Sequence, residues 1–398
     1  MFFISFTLGY FMWDIFSKFF MLGWVSFGGP AAHIGYFRNT FVEKHKWLTD
    51  QQYGQFVALS QFLPGPGSSQ VGFSIGYHKA GLAGASMAFL GFTLPSVFLM
   101  IAIAMLSTTL TDNSTFIAAV HGLKLLAVVV VVDATWGMFN NFCKQKTSIA
   151  IAVFTAVSLL IVPTLWTQVI VLVLAAIIGR YYLVNKDLSK TESLPSVVLK
   201  KAINWIPLAI FLSLLLILPL FSQQSALGTL FTDFFQAGSL VFGGGHVVLP
   251  LLETLVGDQL SQDVFLTGYA TAQAVPGPMF TFATFLGFEL LPNTPILGAI
   301  LATVAVFLPG FLLLLVVLKN WQKIANISAL SAAMKGVNAA VVGVLFSALY
   351  QPVFQSAVSN GIDMALVVLG LYLLKGLKFP IVVMLSFYLI TGIGLTLI

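Results

Sequence analysis

The sequence predicts an all-α polytopic membrane protein, built from two inverted homologous halves with broken or re-entrant helices and a transmembrane helix that connects them. The composition, a repeated set of motifs and the distribution of Lys and Arg support this prediction. Of the 398 residues, 59% are hydrophobic and 8% are charged, whereas about a quarter of the residues of soluble domains are charged. Apolar stretches of about 20 residues, each long enough to cross a bilayer, recur along the chain.

The sparse polar residues exclude several kinds of site. Cys143 is the one cysteine of the sequence, which excludes an internal disulfide and a thiolate metal cage. His, Cys and carboxylate residues nowhere show metal-ligand spacing, so we expect no metal and no other cofactor. The net charge of +5 is scattered, which argues against a nucleic-acid partner. The N-terminal residues lack a basic region and a cleavage site, and we expect no cleaved signal peptide.

The first half is organised around a break within an apolar segment. Pro64-Gly65-Pro66 must end a helix that enters through residues 53–62. Ser68 and Ser69 are good N-cap residues, so a second helix is expected to start there. Non-helical backbone inside a bilayer is tolerated only where it is buried in protein or lines a wet cavity. Because free N–H groups at a helix N-terminus suit an anion, we predict a binding site near the membrane midplane.

A second copy of this break argues against an ordinary loop between two helices. Pro276-Gly277-Pro278 repeats Pro64-Gly65-Pro66, and Gln273 stands before it where Gln61 stands in the first half. Polar residues at such depth are costly unless they serve a partner. We therefore predict that both breaks face one shared central cavity.

Five features recur in the same order, which indicates duplication. Besides the Pro-Gly-Pro breaks they include a glycine break, Phe27-Gly28-Gly29 in the first half and Phe242-Gly243-Gly244 in the second. Two further motif pairs and a closing pair of short apolar spans follow. The repeat divides the chain into residues 1–184, a linker with a connecting helix at 185–227, and residues 228–398.

The distribution of Lys and Arg predicts the orientation, because cytoplasmic loops are enriched in both. The connections without Lys or Arg, which we place outside, are 108–115, 255–263, 291–295 and 351–360. Two versions remain open: the glycine and Pro-Gly-Pro segments either dip in and return on the same side, or each crosses the membrane fully. The second half is inverted relative to the first in both versions.

Several motifs together resemble the chromate ion transporter family. They are Phe27-Gly28-Gly29-Pro30, Gln61-Phe62-Leu63-Pro64-Gly65-Pro66, Ser68-Ser69-Gln70 and Gly91-Phe92-Thr93-Leu94-Pro95. The resemblance covers nearly the whole chain and is to the long, two-half form of the family. It implies a multi-pass protein of the cytoplasmic membrane, not an enzyme, that exports chromate and handles sulfate as an analogue or counter-substrate. Membrane lipids would surround such a protein, and a homodimer remains open.

The predicted substrate-binding residues lie mainly at the breaks. They are Gly28, Gly29, Gln61, Pro64, Gly65, Pro66, Ser68, Ser69, Gln70, Lys124, Gly243, Gly244, Gln273, Pro276, Gly277 and Pro278. Ser68, Ser69 and Gln70 offer hydrogen bonds to a tetrahedral oxyanion, or they only cap the helix. Lys124 stands within an apolar span, where it compensates the charge of a dianion, snorkels to the outer interface, or pairs with its neighbours His121 and Asp133.

Three further residues are candidates for proton coupling. His33 and His246 follow the two glycine breaks, and Asp133 lies within a span. Histidine titrates near neutral pH, which suits a proton-coupled cycle, although a hydrogen-bonded structural histidine is the more common case.

A secondary transporter for a divalent oxyanion is the leading hypothesis, and two alternatives remain open. One is an anion channel. The other is a membrane-embedded enzyme or assembly factor, although such enzymes usually display catalytic carboxylates or His pairs in their spans, and the sequence offers only isolated ones. A nucleotide-binding P-loop is excluded, because no Lys-Ser/Thr pair follows Gly65 and Gly67.

Overall fold

The computed structural model of the chain describes residues 2–109, 113–183, 203–222, 224–242, 244–320 and 328–395. Within these ranges every regular element is helical, which confirms the predicted all-α class. Among the described residues, five helical stretches are long and apolar enough to cross a membrane. Gly243 and residues 185–202 of the predicted linker lie outside the described ranges.

The helices of the first half include one, Asp50–Phe62, that ends before Pro64-Gly65-Pro66 as the sequence predicts. They are Phe2–Val25, Gly29–Phe37, Asp50–Phe62, Gly67–Thr109, Ser114–Phe142, Lys146–Ile161 and Leu165–Tyr182, with a π-helical turn at Arg38–Lys44. The stretch Gly67–Thr109 consists of two helices joined at a kink, where the backbone of Ala80 and Gly81 is not helical. Thr49 begins the third helix through a capping box with Gln52. The connecting segment contains Trp205–Leu212, a π-helical turn at Ser213–Ile217 and Pro219–Ser222.

The second half has more interruptions. Its helices are Ala226–Leu240, Val248–Val256, Gln262–Ala274, Phe282–Leu290, Pro295–Val317, Ser328–Ala348, Gln355–Ala357, Gly361–Leu371 and Ile381–Gly394. Short 3-10 turns lie at Gly245–Val247, Gly257–Gln259, Met279–Thr281 and Leu318–Asn320, and π-helical turns at Leu349–Phe354 and Tyr372–Gly376.

Large apolar side chains stand on the surface of many helices. Trp166 and Leu220 are each 75% exposed, and Ile161 is 73% exposed. Exposed surface of this kind is stable in lipid but is rare on soluble monomers. The composition of the helix surfaces therefore agrees with a multi-pass membrane protein.

The chain forms two compact units, and each unit draws on both halves of the sequence. The first unit comprises Met1–Met105, Pro207–Ser239 and Ala272–Leu318. The second comprises Leu106–Ile206, Leu240–Thr271 and Lys319–Ile398. Both Pro-Gly-Pro breaks thus belong to the first unit, whereas Lys124, Asp133 and His246 belong to the second.

The first unit is held together by aromatic packing. Phe19, Phe37, Phe41 and Phe92 are buried and form one cluster, in which the rings of Phe19 and Phe41 stack at 4.6 Å. Aromatic side chains bury large apolar areas and hold ring pairs in defined geometries. This cluster fixes the helices that carry the first glycine break and the first Pro-Gly-Pro break.

The second unit is held together by close helix crossings at small residues. The helix Ser114–Phe142 meets Ile381–Gly394 where Gly122 faces the backbone of Tyr388 and Gly392. Such crossings bring backbones together where side chains are small, as is typical of membrane helices.

Candidate functional site

The first Pro-Gly-Pro break packs against a proline-containing helix of the second half. Gly65 has a φ of 116°, and a Cβ built on it would lie 2.8 Å from the Cα of Gly310. Gly310 follows Pro309 inside the helix Pro295–Val317. Position 65 therefore requires glycine for both its backbone conformation and the close approach.

Gln70 fastens this break in place. Its Nε2 donates hydrogen bonds to the carbonyl oxygens of Pro64 at 2.8 Å and Gly310 at 3.0 Å. The side chain is fully buried, and its Oε1 has no hydrogen-bond partner among the described residues. The amide nitrogen of the predicted ligand Gln70 thus has a structural role, and its Oε1 forms no hydrogen bond with a described residue.

The second break makes the matching contact with the first half. Gly277 has a φ of 104°, and a Cβ built on it would lie 2.9 Å from the Oγ of Ser96, next to Pro95. The backbone N–H of Gly277 donates to the carbonyl oxygen of Ser26 at 2.9 Å. Each break therefore packs on the proline-containing helix of the other half.

His33 joins the first glycine break to both Pro-Gly-Pro breaks. Its Nε2 lies 3.1 Å from the carbonyl oxygen of Ser26, and its Nδ1 lies 3.1 Å from the Oγ of Ser68. A carbonyl oxygen can only accept, so Nε2 carries a proton, and in the neutral ring Nδ1 accepts from the Ser68 hydroxyl. The Ser26 carbonyl thus accepts from both His33 and Gly277.

Gly28 and Gly29 turn the chain toward this region. Their φ values are 96° and 75°, a conformation that favours glycine. A Cβ built on Gly29 would lie 3.8 Å from the Sδ of Met279, the residue that follows the second break. The structure therefore brings together the predicted residues Gly28, Gly29, His33, Ser68 and Gly277.

Several buried polar atoms of the first unit lack a protein partner. Among the described residues, no hydrogen bond reaches the hydroxyl oxygens of Ser26, Ser69 and Thr93. All three residues are at most 4% exposed. A buried hydroxyl without a partner is costly, and a bound ligand with acceptor oxygens would satisfy it. Ser26 and Thr93 were not predicted as ligands, although Ser26 precedes the first glycine break and Thr93 lies in a repeated motif.

The two serines after the first break lie in a helix turn, not at its cap. The helix begins at Gly67, because the N–H of Gln70 already bonds to the carbonyl of Pro66 at 2.9 Å. Pro66 precedes the helix, so the predicted N-cap positions Ser68 and Ser69 are two and three residues too late. The N–H groups of residues 67–69 have no acceptor within the helix.

The glutamines that precede the two breaks lie in different environments. Gln273 is 9% exposed, whereas Gln61 is exposed. The two residues occupy equivalent positions in the sequence repeat, but they differ in solvent exposure in the structure. Both remain predicted ligands.

Lys124, Asp133 and His246 have side-chain partners in the second unit, and the partner of Lys124 is Asp263 instead of the expected His121 or Asp133. Lys124 forms an ion pair with Asp263 at 2.6 Å, and Asp133 forms one with Lys375 at 3.0 Å. His246 Nδ1 lies 3.1 Å from the hydroxyl of Tyr269. Gly244, with a φ of 138°, precedes His246 in the same unit.

Comparison with known proteins gives consistent results. A family model described as "Chromate transporter" matches residues 13–180 and, separately, 228–394. The chain is 28% identical over 338 residues to the chromate transport protein of Pseudomonas aeruginosa, covering 83% of this chain and 79% of that one. It is 28% identical over 311 residues to an uncharacterized transporter of Methanocaldococcus jannaschii, covering 76% and 74%. The chromate transport protein of Cupriavidus metallidurans is 26% identical over 334 residues, 83% and 80% of the two chains. No solved structure matches the chain significantly.

Proposed function

This chain belongs to the chromate transporter family, a family of transporters and not of enzymes, and on this premise we propose that it exports chromate across the cytoplasmic membrane as a secondary transporter. Two of the relatives described above are named chromate transport proteins. Sulfate is also a tetrahedral dianion, and we include it as an analogue or counter-substrate.

We place the anion at the first Pro-Gly-Pro break. The observation that carries this proposal is the buried Ser69 hydroxyl, which has no hydrogen-bond partner among the described residues and lies in the first turn of a helix whose leading N–H groups are free. Backbone N–H groups and hydroxyls at a helix N-terminus are donors suited to an oxyanion. Ser26 and Thr93 add two more unpartnered hydroxyls within the same unit.

The charge of the dianion needs further compensation. A helix N-terminus supplies about half an elementary charge, which leaves most of two negative charges unbalanced. His33 hydrogen-bonds Ser68, and its ring would add a positive charge only in the protonated form. We therefore keep His33 as a candidate for proton coupling, with Asp133 and His246 in the second unit, and Lys124 as a candidate charge partner.

The two-half organisation agrees with this placement. The family model matches the chain twice, once in each predicted half. Inverted repeats place matched broken helices around a common axis near the midplane, and both Pro-Gly-Pro breaks belong to one compact unit. These observations support a shared central site at the two breaks.

The membrane potential favours export. Moving one elementary charge through the potential is worth about 2.3 kcal/mol per 100 mV, so an inside-negative potential favours outward movement of a bare dianion by roughly 4.6 kcal/mol per 100 mV. Export of the bare ion then needs no other energy source. Coupled proton entry or exchange for an external anion would change this driving force by the net charge that moves.

The transport proposal is tested in proteoliposomes that contain labelled chromate. The potential is clamped with a potassium gradient and valinomycin at symmetrical pH, and chromate flux is expected to follow the potential. Flux that ignores the potential would replace charge-moving export with electroneutral exchange. Accelerated flux on addition of unlabelled chromate to the opposite side is expected of a carrier, and its absence would favour a channel.

The site is tested by Ser69→Ala, with Ser86→Ala as the matched control. Ser86 lies in the helix that follows the kink at Ala80 and Gly81, is exposed, and donates to the carbonyl of Leu82. A hydrogen bond to a charged group is worth about 1.5–3 kcal/mol, so Ser69→Ala should raise the half-saturating chromate concentration by about tenfold or more. Equal values for both variants would remove Ser69 from the site.

A further inference from the structure

Two adjoining cavities of the second unit have acidic and neutral polar residues among otherwise apolar lining residues. One has a volume of about 290 Å³ and is lined by Gln168, Glu253, Thr254, Asp258, Ser347 and Gln351. The other, of about 270 Å³, shares Glu253 and Asp258 and adds Gln262. The residues that line the two cavities include neither Lys nor Arg nor His.

The two carboxylates have no paired counter-charge in the part of the chain that the structure describes. Among the described residues, neither Glu253 nor Asp258 forms an ion pair. The Glu253 side chain lies over the backbone of Gly257, where a built Cβ would be 3.2 Å from Cγ and 3.5 Å from Oε1. This position holds Glu253 beside the turn that carries Asp258. Two like charges that share a cavity repel each other unless a cation or a proton joins them.

Gln168 provides an independent sign of a ligand. Its side chain lines the larger cavity but the residue is only 2% exposed, and no hydrogen bond to its amide group is found among the described residues. A buried amide group has two donors and two acceptor sites to satisfy. Its oxygen is available to a cation or to the water around one.

The chemistry of the donors selects the class of ion. Carboxylate, amide and hydroxyl oxygens are hard ligands, and the absence of Cys and His from the lining argues against a soft transition metal. Ca²⁺ takes six to eight oxygen ligands, several of them from carboxylates. The described residues contain no group of three or more His, Cys, Asp or Glu that could hold a metal ion, which argues against Ca²⁺. The volume of the larger cavity holds several waters, each of which occupies about 30 Å³ in the liquid.

We propose that this cavity binds a hydrated alkali cation between Glu253 and Asp258. Asp258 and Gln351 belong to the connections 255–263 and 351–360, which carry neither Lys nor Arg and are predicted to lie outside. The cavity would therefore take the cation from the outer side. The proposed cation site is independent of chromate transport, and its test needs no chromate. The cation proposal and the transport proposal can therefore fail separately.

The test measures the melting temperature of the purified full chain in detergent. Na⁺ replaces choline at constant ionic strength, and binding to the folded state is expected to raise the melting temperature in a saturable way. Glu253→Gln should raise the apparent Na⁺ dissociation constant at least about tenfold. Asp258→Asn, at an exposed turn position, provides a second variant should Glu253→Gln fold poorly. Glu289→Gln is the matched control, since it removes a half-buried carboxylate of the first unit.

Each outcome decides the proposal. A Na⁺ shift that Glu289→Gln keeps and that Glu253→Gln or Asp258→Asn weakens supports it. The proposal is wrong if the shift is unchanged in both cavity variants, or if no alkali cation stabilises the wild-type chain. Stabilisation by Ca²⁺ at far lower concentration than by Na⁺ would overturn the assignment to an alkali cation.

Discussion

The two Pro-Gly-Pro breaks have the same backbone motif but different side-chain chemistry. After the first break the chain continues directly into an α-helix at Gly67, and the hydroxyl of Ser69 has no partner among the described residues. After the second break a 3-10 turn, Met279–Thr281, comes before the helix. The hydroxyl of Thr281, three residues beyond Pro278 as Ser69 is beyond Pro66, donates to the Pro278 carbonyl at 2.8 Å.

This difference separates two roles of a broken helix. The 3-10 turn brings residue i+3 over the carbonyl of residue i, so the second break satisfies its own polar groups and is followed by the buried apolar residues Met279 and Phe280. The first break leaves donors unused. We infer that the second break contributes to the site through apolar packing and that the first break provides hydrogen bonds to the anion.

The largest expected effect is a difference in stability between the alanine variants of the two central glycines, Gly65 and Gly277. Gly65→Ala adds a Cβ at 2.8 Å from the backbone of Gly310, whereas Gly277→Ala adds one at 2.9 Å from the Oγ of Ser96. Backbone strain costs about 1–3 kcal/mol at either position. The Ser96 side chain can move and the Gly310 backbone cannot, so Gly65→Ala should lower the melting temperature more.

A second change checks this explanation. Ser96→Ala removes the contacting hydroxyl and should recover part of the stability lost in Gly277→Ala. Equal losses in the two glycine variants, with no recovery, would mean that the breaks are equivalent in packing.

Gln70→Leu is expected to have the next largest effect. The change leaves the carbonyls of Pro64 and Gly310 without this donor, at a cost of about 1–3 kcal/mol for each buried group that stays unsatisfied. The melting temperature should fall by several degrees, and chromate flux should fall with it. The equivalent position in the second half holds the buried apolar residue Phe282, so Phe282→Leu provides a size-reducing control that removes no hydrogen bond of a side chain.

The variants Thr281→Val and Ser69→Ala compare the roles of the hydroxyls that follow the second and the first break. Loss of the hydrogen bond to Pro278 should cost about 1 kcal/mol of stability and leave the half-saturating chromate concentration unchanged. Ser69→Ala should do the reverse, because no described residue forms a hydrogen bond with its hydroxyl. A raised half-saturating concentration in Thr281→Val would mean that the second break also provides hydrogen bonds to the anion.

The smallest expected effect concerns Lys124. Asp263, its partner in the ion pair, is 64% exposed, and such partly exposed pairs contribute at most about 1 kcal/mol. If Lys124 also compensates the dianion, Lys124→Gln raises the half-saturating chromate concentration while Asp263→Asn does not. Equal small changes in both variants would leave Lys124 as a structural partner of Asp263.

Local sequence determined where the helices break and which residues follow. Proline lacks an N–H and glycine tolerates positive φ, so Pro64-Gly65-Pro66 ends a helix in any surroundings, and the observed helix does end at Phe62. The apolar composition likewise determined that the helices suit a membrane, because each segment carries its own hydropathy.

Tertiary structure alone decided which polar groups are left for a ligand. Gln70 finds one acceptor six residues away and another 240 residues away, and Lys124 finds Asp263 at a separation of 139 residues. The Ser26 carbonyl accepts from both His33 and Gly277, which no motif spacing reveals. Hydrogen-bond satisfaction depends on every group that folding brings within about 3 Å, and most of those groups are distant in sequence.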